Sequence, residues 1–143
     1  MDEKSAWRHH ITPLRRRHFE PLCLKLGLSL APDNPLAEYG FASAVSGFVR
    51  VHFEHDRGLC YLAIGSVSDE RSLTSVEKIA SRFPRVRAMP GGVQRLSLDE
   101  QAQFLTDHWS DLQIMFSPEH VAETKRWKKA AGDAFMKKLR GES

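Results

Sequence analysis

The chain has 143 residues, of which 41% are apolar and 27% are charged, and its formal net charge is +3. These values resemble an average globular domain and exclude collagen-like and low-complexity chains. No apolar stretch approaches the roughly 18 residues of a membrane-spanning helix, and the N-terminus lacks the layout of a secretory signal. We therefore expect one soluble, cytoplasmic domain over residues 1–143, with about ten N-terminal and a few C-terminal residues flexible.

The N-terminal segment carries the signals of one helix followed by a short strand. A threonine–proline pair at Thr12 predicts the start of the helix, because proline is favoured at the first helical position. Apolar residues then recur at helical spacing: Phe19, Leu22 and Leu26. Gly27 supplies a stop, whereas Pro21 predicts a kink or a restart within the helix. Residues 28–32 are expected to form a short strand.

The middle of the chain predicts an antiparallel sheet. Residues 41–45 are expected to form one strand, and residues 48–55 alternate between apolar and polar side chains, as in a half-buried strand. The polar face of that strand carries Arg50, His52 and Glu54. The turn Asp56-Arg57-Gly58 predicts a tight hairpin connection. Residues 59–64 are more continuously apolar and are expected to form a central strand with both faces covered.

Three helices are predicted in the last part of the chain. Capping boxes at residues 74–77 and 97–100 predict the starts of two helices, and the second helix places Trp109 in the core. Residues 117–119 then supply the cap, the first helical residue and the first acid of a final helix. We therefore predict an α+β fold with one N-terminal helix, an antiparallel sheet of three to five strands, and three C-terminal helices packed on one face.

Charge is distributed in blocks along the chain. Residues 81–98 carry four arginines and no acid, residues 99–123 carry six acids and no lysine or arginine, and residues 124–143 carry seven basic residues against two acids. The four arginines flank a loop rich in proline and glycine and are expected to be exposed: Arg82, Arg85, Arg87 and Arg95. The C-terminal basic block could bind a phosphate backbone or pair with the preceding acids, and the sequence leaves both interpretations open.

Patterns typical of a catalytic or metal site are weak in this sequence. The densest group of potential ligands is segment 52–56, but in a strand only His52 and Glu54 could meet one ion without outside help, and zinc needs three or four ligands. No nucleophile elbow or phosphate-binding glycine loop is present. Cys23 and Cys60 lack metal-site spacing and are expected to be reduced and buried. We therefore expect no catalytic residue, cofactor or metal.

The segment from Phe48 to Gly65, FVRVHFEHDRGLCYLAIG, carries the one resemblance in the chain. It resembles a recurring pattern in small uncharacterised bacterial proteins, in which an N-terminal helix precedes a strand of alternating valines and charges, an Asp-Arg-Gly turn and a strand ending in Ile-Gly. Those proteins look like immunity or accessory proteins of toxin and defence loci. The resemblance covers roughly the first 80 residues. It implies a protein that binds another protein and catalyses no reaction.

Three functional hypotheses follow from the sequence. The first is an immunity-type protein that binds an acidic patch of a toxin or effector through seven residues: Arg50, His52, Glu54, Arg82, Arg85, Arg87 and Arg95. The second is a nucleic-acid-associated protein that uses the basic 81–95 loop and the basic C-terminal helix. The third is an enzyme or metal protein centred on His52, Glu54 and Asp56.

Overall fold

The computed structural model describes residues 3–30, 42–56, 59–80 and 96–141. An antiparallel sheet of five strands has the order β1-β2-β3-β4-β5. The strands are β1 (Ser29–Leu30), β2 (Ala42–Ser46), β3 (Val49–Asp56), β4 (Leu59–Ser66) and β5 (Asp69–Ser75). The helices are α1 (Glu3–His18), α2 (Glu20–Leu26), α3 (Val76–Ala80), α4 (Leu98–Asp107), α5 (Trp109–Met115) and α6 (Val121–Leu139). The predicted α+β fold is confirmed.

The core lies on one face of the sheet, where β3 contributes three fully buried side chains: Val49, Val51 and Phe53. Their alternation with polar residues explains this placement, because every second side chain of a strand lies on the same face. The helical parts of the chain add further apolar side chains to the same cluster: Ile11, Phe19, Leu22, Ile79, Leu105, Leu112 and Phe116. Helix α6 contacts α5 and the last strand of the sheet, β5.

The first helix begins earlier than the sequence predicted. Helix α1 starts at Glu3 rather than at Thr12, and Pro13 lies in its interior. A proline inside a helix removes one backbone hydrogen bond and would ordinarily end or kink the helix. Ile11 is fully buried and Leu14 packs against the core, so tertiary contacts on both sides of the proline offset this loss.

Strand β5 occupies residues that the sequence assigned partly to a helix. The predicted capping box at Thr74 is wrong, because Thr74 lies in the strand and its hydroxyl donates to the carbonyl of Ser72 at 2.8 Å. Helix α3 begins only at Val76, and Ser75 Oγ accepts the backbone N–H of Lys78 at 3.3 Å. Ser72 and Thr74 are the buried residues of β5, so this strand has no apolar alternation to detect.

The capping box at Ser97 is confirmed, and the helix that follows ends at Asp107, before the Trp109 that it was predicted to carry. Ser97 Oγ accepts the backbone N–H of Glu100 at 3.2 Å, and the Glu100 carboxylate accepts that of Ser97 at 3.0 Å. The helix is interrupted at His108, where φ is −114°, so α4 and α5 are separate segments. The interruption changes the helical register, and Trp109 is half-buried at the margin of the core rather than inside it.

Other predicted boundaries hold with small changes. Helix α2 restarts the chain at Glu20 and ends at Gly27, whose φ of 70° lies in the left-handed region that favours glycine. Asp56 pairs with Leu59, so β3 and β4 form the predicted antiparallel hairpin, and residues 57–58 of the predicted turn lie outside the described residues. Residues 62–66 of β4 are buried, but Leu59 is exposed, and the cover expected for this strand is therefore partial. The predicted cap at Ser117 is wrong, because residues 117–120 form a turn in which the carbonyl of Ser117 accepts the Val121 N–H at 2.9 Å, and α6 begins only at Val121.

Gln101 connects α4 to the sheet, a role that no sequence pattern indicated. Its side chain is buried, Oε1 accepts the backbone N–H of Leu62 at 2.8 Å, and Nε2 donates to the carbonyl of Leu96 at 3.0 Å. Pairing of β4 with β5 ends at Ala63 opposite Ser75, so Leu62 lies one residue beyond it. Gln101 therefore provides a hydrogen-bond acceptor for the Leu62 N–H at the point where β5 ends and α3 begins.

Candidate functional site

A groove of about 520 Å³ lies where α6 packs beside β5 and α3. We call it the basic groove, and it is lined by Arg71, Lys78, Ala122, Lys125, Arg126, Lys128 and Lys129. Four of these residues, at positions 122, 125, 126 and 129, follow the spacing that places side chains on one face of a helix. Six of the seven lining residues are lysine or arginine, so the groove concentrates positive charge in a concave surface.

Contacts with β5 hold two of the groove lysines in place. Lys125 Nζ donates to Asp69 Oδ2 at 2.7 Å, and Lys128 Nζ donates to the carbonyl of Leu73 at 2.6 Å. The hydrogen bond from Lys125 lowers the pKa of Asp69 below its ordinary value. Burial, with a smaller contribution from the neighbouring charge of Lys78, lowers the pKa of Lys128. An anion in the groove would relieve that repulsion.

The acids of residues 99–123 do not neutralise two of the groove cations. Arg126 and Lys129 make no ion pair with any residue in the described parts of the chain. Asp107 instead accepts a hydrogen bond from Gln103 at 2.7 Å. The acids that the sequence offered as counter-charges are exposed: Asp107, Asp111, Glu119 and Glu123. Arg126 and Lys129 are thus available to an external anion.

Three sequence-predicted binding residues lie together on the face of the sheet opposite the core. Arg50, His52 and Glu54 project from β3. His52 Nδ1 and Glu54 Oε1 are 2.8 Å apart, and the hydroxyl of Tyr61, opposite Glu54 on β4, donates to Oε2 at 3.0 Å. The side chains of His52 and Glu54 are only 20% and 25% exposed, so this face is less solvated than its polar pattern predicted. We call Ser43, Arg50, His52, Glu54 and Tyr61 the outer-face cluster.

The hydrogen bond with His52 lowers the pKa of Glu54 below the ordinary glutamate value of 4.5, and the bond from Tyr61 acts in the same direction. Burial opposes this shift but does not outweigh it. A carboxyl whose pKa is lowered by folding contributes stability above its unfolded pKa and loses that contribution as the pH falls through the folded value. Glu54 therefore stabilises the fold at neutral pH and not in strong acid.

We expect Glu54→Gln to lower the free energy of unfolding at pH 7 and to have a progressively smaller effect as the pH falls below 4.5. Urea denaturation of both proteins between pH 7 and pH 3 measures this difference. Glu119→Gln, at an exposed position on the turn before α6, is the matched control and should shift stability little at every pH. A Glu54→Gln deficit that stays constant across the range would contradict the assignment.

The structure describes only some of the remaining candidate residues. Arg82, Arg85, Arg87 and Arg95 lie outside the described residues. Within the described ranges, no three histidine, cysteine, aspartate or glutamate side chains come together as a metal site. Cys23 and Cys60 are free thiols, and burial raises the pKa of Cys23 to about 11 and also raises that of Cys60. None of the described helices is long and apolar enough to cross a bilayer.

The sequence indicated only the part of the basic groove that α6 contributes. The lysine- and arginine-rich block of α6 was identified as a possible phosphate-binding element, but Arg71 and Lys78 were not. No protein-family model, curated protein or solved structure matches this chain.

Proposed function

We propose that this protein is a non-catalytic binding protein whose basic groove binds the phosphate backbone of a nucleic acid. The observation that carries the proposal is the convergence of six cationic side chains from β5, α3 and α6 on one groove. Basic residues clustered on one face of a domain are typical of nucleic-acid binding. Their contribution to affinity comes from the release of counterions condensed on the phosphates.

The fixed positions of two lysines support this function further. Binding costs free energy for every flexible side chain that becomes ordered, and long lysine side chains lose the most. Lys125 and Lys128 are already held by Asp69 and by the carbonyl of Leu73, so part of that ordering is complete before a ligand arrives. The uncommitted Arg126 and Lys129 supply the remaining charge on the same helix.

The chemistry of the groove favours backbone contacts over base recognition. None of its seven lining residues is aromatic, and its one uncharged member is Ala122. Stacking on aromatic side chains is the usual way to hold unpaired bases, whereas lysine and arginine contacts to phosphates carry no sequence information. We therefore expect binding that depends weakly on nucleotide sequence and strongly on salt.

The double variant Arg126→Gln/Lys129→Gln tests the proposal by fluorescence anisotropy with a labelled duplex of about 20 base pairs. Loss of two phosphate contacts should weaken binding by about tenfold or more near 50 mM salt and reduce the slope of log K against log salt by about 1.8. The matched control is Arg16→Gln/Arg17→Gln, which removes two exposed charges from α1. Equal weakening by both variants would mean that net charge, not the groove, determines binding, and would overturn the proposal.

A second candidate is the immunity-type function, in which the protein binds an acidic patch of another protein. It is favoured by the shared placement of Arg50, His52 and Glu54 on the sheet face opposite the core. Titration with poly-glutamate as an acidic probe distinguishes the two candidates. Under this second function, Arg50→Glu should weaken poly-glutamate binding, whereas Arg126→Gln/Lys129→Gln should leave it unchanged. If Arg50→Glu retains poly-glutamate binding and Arg126→Gln/Lys129→Gln loses it, the peptide binds in the groove and this second function is excluded.

A further inference from the structure

Three buried polar atoms of the outer-face cluster have no hydrogen-bond partner among the residues that the structure describes. They are Ser43 Oγ, Arg50 Nε and His52 Nε2. Ser43 is itself a buried residue, 8% exposed, in the strand beside β3. Leaving one buried polar atom without a partner costs about 1–3 kcal/mol, so three such atoms on neighbouring positions call for a common explanation.

The strand register brings these three side chains to one patch. Ser43 lies directly opposite His52 in the pairing of β2 with β3, and Arg50 precedes His52 by two residues on the same face. Residues directly opposite each other in an antiparallel pair have Cα atoms about 4.5–5.5 Å apart. Alternate residues of one strand are separated by about 6.8 Å, at a rise of roughly 3.4 Å per residue. One small ion could therefore reach all three side chains.

Two of the three atoms are hydrogen-bond donors, and this favours an anion. The Nε–H of arginine can only donate, and the serine hydroxyl can donate as well. His52 Nδ1 is already engaged by Glu54, which leaves Nε2 as the ring atom without a partner. Nε2 accepts from a protonated ligand oxygen when the ring is neutral and donates when the ring is protonated. The donors of Arg50 and Ser43 therefore favour a ligand that carries acceptor oxygens.

We propose that Ser43, Arg50 and His52 form an oxyanion site that accepts a single carboxylate or phosphate group, separate from the basic groove. A fifth of the His52 side-chain surface is accessible, and Ala63, opposite His52 on β4, places only a methyl group beside the ring. The three unpartnered atoms are themselves buried, so a ligand reaches them only when the side chains of Arg50 and His52 turn toward it. Glu54 and Tyr61 act as positioning residues, because their hydrogen bonds fix the orientation of the imidazole.

Side-chain NMR tests the site on the intact chain labelled with ¹⁵N. Inorganic phosphate and, separately, acetate are titrated at constant ionic strength, with chloride as the compensating ion, while the Arg50 Nε–H and His52 Nε2 resonances are followed. Saturable shifts of both resonances are expected with at least one anion. The tighter anion identifies the ligand as phosphorylated or carboxylic. No saturable shift at either resonance with both anions would overturn the proposal, even if no variant were made.

Variants then separate this site from the groove. Arg50→Gln and Ser43→Ala should each raise the dissociation constant, and loss of the charged donor of Arg50 should raise it by at least about tenfold. The groove variant Arg126→Gln/Lys129→Gln should leave the titration of the His52 resonance unchanged. If instead the groove variant abolishes the His52 shift and Arg50→Gln does not weaken it, the anion binds in the groove. That result would refute the oxyanion site and leave the proposed nucleic-acid function intact.

Discussion

Phe53→Ala should lower the free energy of unfolding by about 3–5 kcal/mol, the range observed when a buried phenylalanine is truncated. Phe53 is fully buried in the middle of β3, and its ring centroid lies 6.0 Å from that of Phe19, at the junction of α1 and α2. Its neighbours across the sheet are Ala42 and Leu62. Because Ala42 is small, it cannot fill the space left by the ring, and the cavity should persist between the sheet and the N-terminal helices.

Urea denaturation followed by far-ultraviolet circular dichroism measures this loss, provided that the slope against urea matches that of the unaltered protein. Phe48→Ala is the matched control, because Phe48 immediately precedes β3 and its side chain is 39% exposed. It should cost less than about 1 kcal/mol, as expected for a surface position. Equal losses at the two positions would show that Phe53 is not the inward-facing residue and that the register of β3 is wrong.

Gln101→Met should lower the free energy of unfolding by about 1–3 kcal/mol, although methionine nearly preserves the side-chain volume. The substitution removes the oxygen that accepts the Leu62 N–H at 2.8 Å and leaves this backbone donor buried without a partner. It also removes the donor to the carbonyl of Leu96, the residue before the Ser97 cap. Because both lost bonds involve backbone groups, packing by methionine cannot replace them.

Gln103→Met provides the comparison within the same helix. Gln103 is exposed, and its side chain donates to Asp107 at 2.7 Å on the solvent side of α4. Its replacement should change stability by less than about 0.5 kcal/mol. Amide hydrogen exchange adds a local measurement, since Leu62 N–H should lose protection in Gln101→Met and keep it in Gln103→Met. Retained protection at Leu62 in both variants would contradict the role assigned to Gln101.

The predictable parts of the fold are those in which hydrophobic burial and local geometry agree. Val51 and Phe53 alternate with charged residues, so the core face of β3 follows from the sequence alone. The placement of strand β5 does not, because both residues that it buries, Ser72 and Thr74, are polar. Ser72 Oγ accepts the Ser66 N–H at 2.7 Å and donates to the carbonyl of Asp69 at 2.6 Å. Such burial depends on partners that only the folded sheet supplies.

The candidate sites also differ in how far a local sequence pattern could predict them. The shared face of Arg50, His52 and Glu54 could be predicted from alternation within one strand. The basic groove could not, because Lys125 and its partner Asp69 are 56 residues apart and no local pattern links them. The serine of the outer-face cluster was missed for a related reason, since Ser43 meets His52 only through the register between β2 and β3.

Among the described strands, β5 lies at one end of the sheet, and the outer edge of a terminal strand can pair with the sheet of a second molecule. Lys128 Nζ donates a hydrogen bond to one carbonyl of that strand, Leu73 O, and places a positive charge beside it. Because a charge at an edge strand disfavours pairing with another sheet, we expect this groove lysine also to oppose self-association. A substitution of Lys128 would therefore change both ligand binding and self-association, and a binding measurement could not tell the two effects apart. Arg126 and Lys129, which have no hydrogen bond to β5 in the described structure, separate the two effects.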